Sequence, residues 1–522
     1  MPPQLAKLGS GPASLDEYTL FTMVLAIPFL YDFWRYTTQI SDKFATELDS
    51  DLYETWLTPL TGGRKMDLKD PQWKDFRAAL PLLSVVFVGM ILLRRNVRDE
   101  HHYLGAGLGL AWVLILHRMD GLFLLLLFAC NYGLMVVHST RMRQGMIWAF
   151  NLAILFAVKR FGNFLHPSWM VGVGMDGPFS ANASLFPWFI TFNLMFLRLI
   201  SLAEDTIHDQ TKFIDLPLAV FYLCYPPLYL AGPIIRFHDF RVQVLRQQPT
   251  VSGKALLAYL GRFLFLLLSF EVFSTYVYGT AIARNLKSRN IAVEITSLED
   301  IKTTAHWSFA TLFGAWFKFA IIWRFSRLMA LLDGINPPEN MKGCIASTVN
   351  FRVFWKEWHS SFNAWLVRYM YVPLGGSKRG LITQAFASVA CFLFVAAWHD
   401  FELRMLVWGL GISVALIPEI CGQYVSDTWP LALRAQRDYP YLWDAFAALF
   451  GGLSIMALLF VNMFGFSLHE TTWVLIGKMT ETKGALLFAL YWYGWMSLGA
   501  FVKLGRRRRE ANAANAASPK RI

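Results

Sequence analysis

The chain has 522 residues, of which 55% are hydrophobic and only 16% charged, with 48 Lys and Arg against 36 Asp and Glu for a net charge of +12. Soluble domains carry about 25% charged residues, so this composition excludes a soluble multidomain enzyme and a disordered chain. Five cysteines over this length exclude a disulfide scaffold.

The first apolar run, near 18–34, begins only after Asp16 and Glu17 and lacks a basic leader with a small-residue cleavage site. It therefore reads as a retained span. A polar stretch over 37–77 follows, and then apolar runs near 78–93, 103–116, 121–137, 145–158, 186–202, 216–235, 255–279, 305–323, 381–397, 405–418, 445–468 and 485–502. A crossing needs ~20 apolar residues, and some of these runs are short or broken by Pro, so roughly 11 transmembrane helices plus re-entrant and amphipathic helices enclosing a cavity are expected. The predicted class is an all-α polytopic membrane protein. Its parts are an N-terminal tail (1–17), a transmembrane domain (18–505) and a basic tail (506–522). Arg506 to Arg509 directly after a span point to a cytosolic C-terminus.

Charged residues inside apolar runs are costly in lipid and face the protein interior. Glu271 and Lys318 read as ion-pair or interfacial residues, and Arg198, Glu204 and Asp205 as a polar helix end facing the bundle. Asn182-Ala-Ser is a glycosylation sequon. The cysteines show no C-x-x-C, and packing explains them better than metal or redox chemistry.

The segment from 344 to 400 differs from the rest. Residues 351–376 read FRVFWKEWHSSFNAWLVRYMYVPLGG, with polar residues too numerous for a lipid-facing helix and apolar ones at helical spacing. An amphipathic helix over about 351–370, ended by Pro373 and Gly375-Gly376, is expected at an interface or cavity wall. His359 and Asn363 are four apart, so they share a face of such a helix, and Asn363 could fix the imidazole tautomer. The apolar run 381–398 then ends in His399-Asp400. Two histidines around a glycine-rich break suit proton transfer. The sequence contains no nucleophile elbow, H-E-x-x-H or Walker loop, so no metal is expected and direct transfer assisted by a histidine base is the economical chemistry.

AAWHD at 396–400, preceded by WKEWHSSFNAWLVRYMYVPLGG, resembles the signature of the membrane-bound O-acyltransferase family. Tyr225-Pro-Pro-Leu-Tyr-Leu-Ala-Gly-Pro-Ile is similar to another element of that family, and the likeness covers about 190–465. Within it the pattern most resembles the fungal glycerol-uptake branch, endoplasmic-reticulum enzymes that remodel the lipid of glycosylphosphatidylinositol (GPI) anchors. Hedgehog acyltransferases are close relatives.

The resemblance implies an acyl-CoA-dependent acyltransferase that uses acyl-CoA as co-substrate and has no other cofactor. Its partners would be membrane lipids and a GPI-anchored lipid or protein acceptor, without nucleic acid. His399 matches the family's active histidine and His359 its second active position, where other branches place Asn, Asp or His. His399 would take the proton from the acceptor hydroxyl, His359 or Asn363 would orient the acyl group or stabilise the oxyanion, and Asp400 would support His399. Asp stands at the second position in Hedgehog acyltransferases, so His there favours a hydroxyl acceptor over a protein amine, and with the likeness to the glycerol-uptake branch it implies a lipid hydroxyl, the lyso-phosphatidylinositol of GPI anchors. The candidates for the CoA phosphates are Arg236, Arg352, Arg368, Lys378 and Arg379. The alternatives are a protein N- or O-acyltransferase or regulator of the Hedgehog type, and a small-polyol transporter.

Overall fold

The computed structural model describes residues 17–96, 101–135, 140–161, 185–209, 215–246, 251–286, 297–345, 348, 350–467, 490–491, 493–502 and 504. The sequon at Asn182 and the tail after Leu504 lie outside them. Among the described residues, apart from one two-residue antiparallel pair, β1 (Leu52–Tyr53) and β2 (Met66–Asp67), the regular structure is helical, as expected where no water can satisfy an open sheet edge.

The N-terminal part comprises α1 (Glu17–Phe44), α2 (Pro71–Arg95), α3 (His101–His117), α4 (Asp120–Leu134) and α5 (Thr140–Phe161). The start of α2 is written in its sequence. Asp70 accepts from Trp73 N at 2.9 Å, and Pro71 fills the first turn where no N–H is needed. Next come α6 (Trp188–His208), the short α7 (Leu216–Leu223) and α8 (Pro226–Tyr229), α9 (Phe237–Arg246), α10 (Gly253–Tyr276), α11 (Gly279–Asn285) and the 35-residue α12 (Leu298–Leu332). Ser297 and Asp300 begin α12 with a reciprocal capping box. The C-terminal part holds α13 (Phe351–Glu357), α14 (Ser360–Leu366), α15 (Leu381–His399), α16 (Leu403–Thr428), α17 (Pro430–Asp438) and α18 (Pro440–Asn462). A π-helical turn over Val367–Tyr371 follows α14.

By length and composition five helices suit a crossing among the described residues: α2, α10, α15, α16 and the stretch from Pro440 to Gly465. The expected run 216–235 is not one span. Pro226 and Pro227 break it, because proline ends the preceding helix, and it folds as α7, α8 and an extended stretch. Gly232 lies so close to α8 that a Cβ there would meet Leu228 Cα at 2.5 Å. The stretch Ala231-Gly232-Pro233 is thus both a helix break and a close backbone approach.

Charged side chains inside apolar helices are paired, as anticipated, though Glu271 and Lys318 do not pair with each other. Arg77 donates two 2.7 Å bonds to Glu271, Trp56 Nε1 adds one at 3.1 Å, and Lys318 pairs with Asp70 at 2.7 Å. Glu204 accepts from Gln144 and Trp148, and the buried Arg198 donates to the carbonyls of Leu223 and Leu228. The polar end of α6 therefore faces the protein, as its sequence suggested.

Candidate active site

The expected continuous helix over 351–370 is interrupted at its histidine. Helix α13 ends at Glu357, α14 begins at Ser360, and His359 between them has φ 43° and ψ 46° in the left-handed region. A non-glycine residue there is held by its surroundings at a cost of order 1–3 kcal/mol. What holds it is a buried polar hub. Asn340, fully buried, presents Oδ1 to His359 Nδ1 at 3.0 Å, to Ser361 N at 3.2 Å and to Ser361 Oγ at 2.7 Å. Its backbone carbonyl accepts from Ser360 N at 2.9 Å. Ser361 Oγ in turn accepts from Ile234 N at 2.9 Å, which ties the stretch after Gly232 to the histidine.

The tautomer partner of His359 is therefore Asn340 and not Asn363. The latter donates only its backbone N–H, to the carbonyl of His359 at 3.0 Å. With His359 outside helical geometry, the shared-face argument for Asn363 loses its premise.

His399 closes α15. Lys159 at the end of α5 donates to its carbonyl at 2.9 Å, satisfying a helix C-terminus and placing a cation where the macrodipole is negative. Asp400 lies within electrostatic reach of the same lysine, and its carboxylate accepts from Phe401 N at 2.8 Å.

Aromatic rings join the two histidines. The Trp323 ring lies 4.5 Å from the His359 ring at a tilt of 43°, and Phe362 lies 5.2 Å from it. Phe362 is 4.6 Å from Trp398, which is 4.7 Å from His399. Neither histidine is fully buried, and a charge on His399 acts on His359. The structure thus brings the two predicted histidines into one ring-walled site.

The basic candidates lie elsewhere. Arg368 pairs with the buried Asp205 at 3.4 Å, and Asp205 also accepts from Tyr369 Oη at 2.8 Å and His238 N at 3.1 Å. Arg236 pairs with Asp239 at 2.7 Å and feels the charge of Asp205. Lys378 and Arg379 are exposed in the turn Gly376–Arg379. The half-buried Arg352 lies beside Glu419, whose carboxylate accepts its backbone N–H at 3.1 Å. Arg236 and Arg368 therefore converge on Asp205, whereas the charge of Arg352 acts on Glu419 and Tyr371.

Helix α6 carries a contact to each of these two groups, the ring-walled site and the basic pair. Trp398 Nε1 donates to Asn193 O, and Arg368 meets Asp205. The twelve residues between (205 − 193) rise about 18 Å at 1.5 Å per residue.

A family model for MBOAT, the membrane-bound O-acyltransferase family, matches residues 122–453, more than half of the chain. The chain belongs to that family. This acyltransferase is 28% identical over 491 residues to the membrane-bound O-acyltransferase GUP1 of Candida tropicalis, covering 86% of this chain and 80% of the relative. It is 29% identical over 482 residues to that of Saccharomyces cerevisiae, covering 82% and 80%. The mouse protein-cysteine N-palmitoyltransferase HHAT-like protein is 24% identical over 443 residues, covering 82% and 84%.

Reading the acyltransferase from its sequence missed Asn340, Ser361 and Lys159. Asn340 leaves a faint signal, since Asn336-Pro-Pro-Glu-Asn340 is a rigid polar insert just before the signature. Lys159 leaves none, because only the packing of α5 brings it to His399.

Proposed function

We propose that this acyltransferase moves a long-chain fatty acyl group from acyl-CoA to a lipid hydroxyl, and that its acceptor is the lyso-phosphatidylinositol moiety of GPI anchors in the endoplasmic-reticulum membrane. The observation that carries this reading is the pair of histidines linked through Phe362 and Trp398, with His359 held by the buried Asn340. Acyl-CoA would bring its thioester to the histidines, with Arg236 and Arg368 as candidates for its phosphates.

In the reaction the acceptor oxygen attacks the thioester carbonyl carbon, forming the ester C–O bond as the carbonyl π pair moves to oxygen. His399 takes the hydroxyl proton. Collapse of the tetrahedral intermediate breaks the C–S bond, and the proton passes to the departing thiolate. A positioned base contributes about 10²–10⁴-fold, so alignment along the site must supply much of the remaining acceleration. The similarity to membrane-bound O-acyltransferase GUP1 proteins supports an oxygen acceptor.

The test is transfer from a long-chain acyl-CoA to lyso-phosphatidylinositol by the purified protein, read as free thiol release and as diacyl product. Cells lacking the protein should accumulate lyso-GPI proteins. Unchanged GPI lipids together with loss of N-terminal acylation on a secreted protein would favour a protein acceptor instead.

A further inference from the structure

The network around Asn340 fixes more than the position of His359. Ser361 N–H can only donate, so the atom of the Asn340 amide that faces it must be the oxygen. Exchanging the amide's oxygen and nitrogen would set two donors against each other inside a buried cluster. Ser361 Oγ spends one lone pair on Ile234 N–H and directs its hydrogen to Asn340 Oδ1. That oxygen is therefore an acceptor for all its neighbours, and His359 Nδ1, 3.0 Å away, must carry a hydrogen. In the neutral ring the other nitrogen, Nε2, is then a lone-pair acceptor.

We propose that Asn340 is a positioning residue that holds His359 in the Nδ1–H tautomer, so that His359 meets the substrate as an acceptor of an O–H or N–H hydrogen bond. On this proposal His359 does not donate to the oxyanion, and of the two roles the resemblance implies for it, orienting the acyl group is the one that stays open. A neutral ring in this tautomer has no hydrogen to offer at Nε2. The left-handed backbone at 359 and the bond from Ser360 N to Asn340 O tie the ring and the amide to one another, so neither turns independently. The functional consequence rests on the acyltransferase reading above, whereas the tautomer does not.

The experiment is ¹⁵N NMR of the full-length protein labelled at its 11 histidines, with the His359 signal assigned by its loss in His359→Asn. The expected spectrum has a protonated Nδ1 and an unprotonated Nε2 for His359 at neutral pH. Asn340→Leu, of similar size and without an acceptor, should mix the tautomers. It should lower turnover at least about 10-fold, given that loss of a tautomer-holding group costs about 10⁴-fold in a serine-protease triad. Asn340→Asp keeps the accepting oxygen and should retain the tautomer and recover part of the turnover. A wild-type His359 protonated at Nε2 overturns the proposal, as does an Asn340→Leu protein with unchanged tautomer and turnover. If Asn340→Leu fails to fold, the wild-type and Asn340→Asp spectra decide. If no acyl transfer is found with any acceptor, the proposed function fails while the spectrum still decides the tautomer.

Discussion

His399 and Lys159 form a unit that the sequence only half discloses. The imidazole is marked by its place after a long apolar run, but its anchor comes from a helix 240 residues away in the chain. Local patterns report periodicity and motif, and they carry no information about which distant helix end packs beside them. The same limit explains the misassigned partner of His359, since spacing suggested Asn363 and packing supplies Asn340. For the proposed base, His399→Ala should reduce acyl transfer by about 10²–10⁴-fold with unchanged membrane insertion. Near wild-type turnover in purified protein would refute that role. Lys159→Met should lower turnover by about 10- to 100-fold, because small displacements of a reacting group are costly, and Lys159→Arg should recover part of it. Equal rates in all three proteins would show that the lysine does no more than cap a helix.

Among the helices, the apolar middles of α2 and α12 were legible in the sequence as the runs 78–93 and 305–323, whereas their capped starts at Asp70 and Ser297 fell in polar sequence outside those runs. The irregular pieces were less so, because buried polar contacts override periodicity there. Asp67 in β2 is one such contact. Its carboxylate accepts from Thr280 N and Ala281 N at 2.9 Å each and from Lys69 N at 3.0 Å, joining the polar N-terminal stretch to the start of α11. Burial pushes its pKa from 3.8 up to about 6, against the lowering effect of those N–H groups. The folded state therefore binds a proton more readily than the unfolded chain. The stability this group contributes is complete below pH 3.8 and is lost as pH rises to about 6. The difference is on the order of 3 kcal/mol. Asp67→Asn retains an accepting oxygen and cannot titrate. Its melting temperature in detergent should vary less between pH 4 and 6 than that of the wild type. Parallel melting curves across that range would contradict this.

Across the whole molecule, α2 is fastened to the end of α12 by a single buried cluster. Arg94 donates to the Asp333 carboxylate at 3.0 Å and to its carbonyl at 2.8 Å, and Tyr225 Oη donates to the other carboxylate oxygen at 2.9 Å. Both charged residues are buried. Removing one partner strands the other charge, which typically costs about 3–5 kcal/mol. Asp333→Ala should therefore lower thermal stability markedly. The double variant Arg94→Met, Asp333→Leu should lose much less than the sum of the single changes, and strict additivity would show that the pair acts independently. The membrane class and the two-histidine site were legible from composition and motif. The number of crossings was not, because helices lined with partnered charges and helices broken by proline depart from a simple apolar length.

The left-handed backbone at His359 has a consequence for which residues this position can accept. Outside glycine, the residues that enter this region most readily are Asn, Asp and His, the same three that the family resemblance places at the second active position. Main-chain geometry thus narrows the choice before any chemistry is selected. A β-branched residue would be refused at the folding step, whereas Asn would fold and be judged by its reactivity alone. Expression and melting temperature of His359→Val beside His359→Asn would separate the two filters: the first should fall below wild type, and the second should match it while turnover drops.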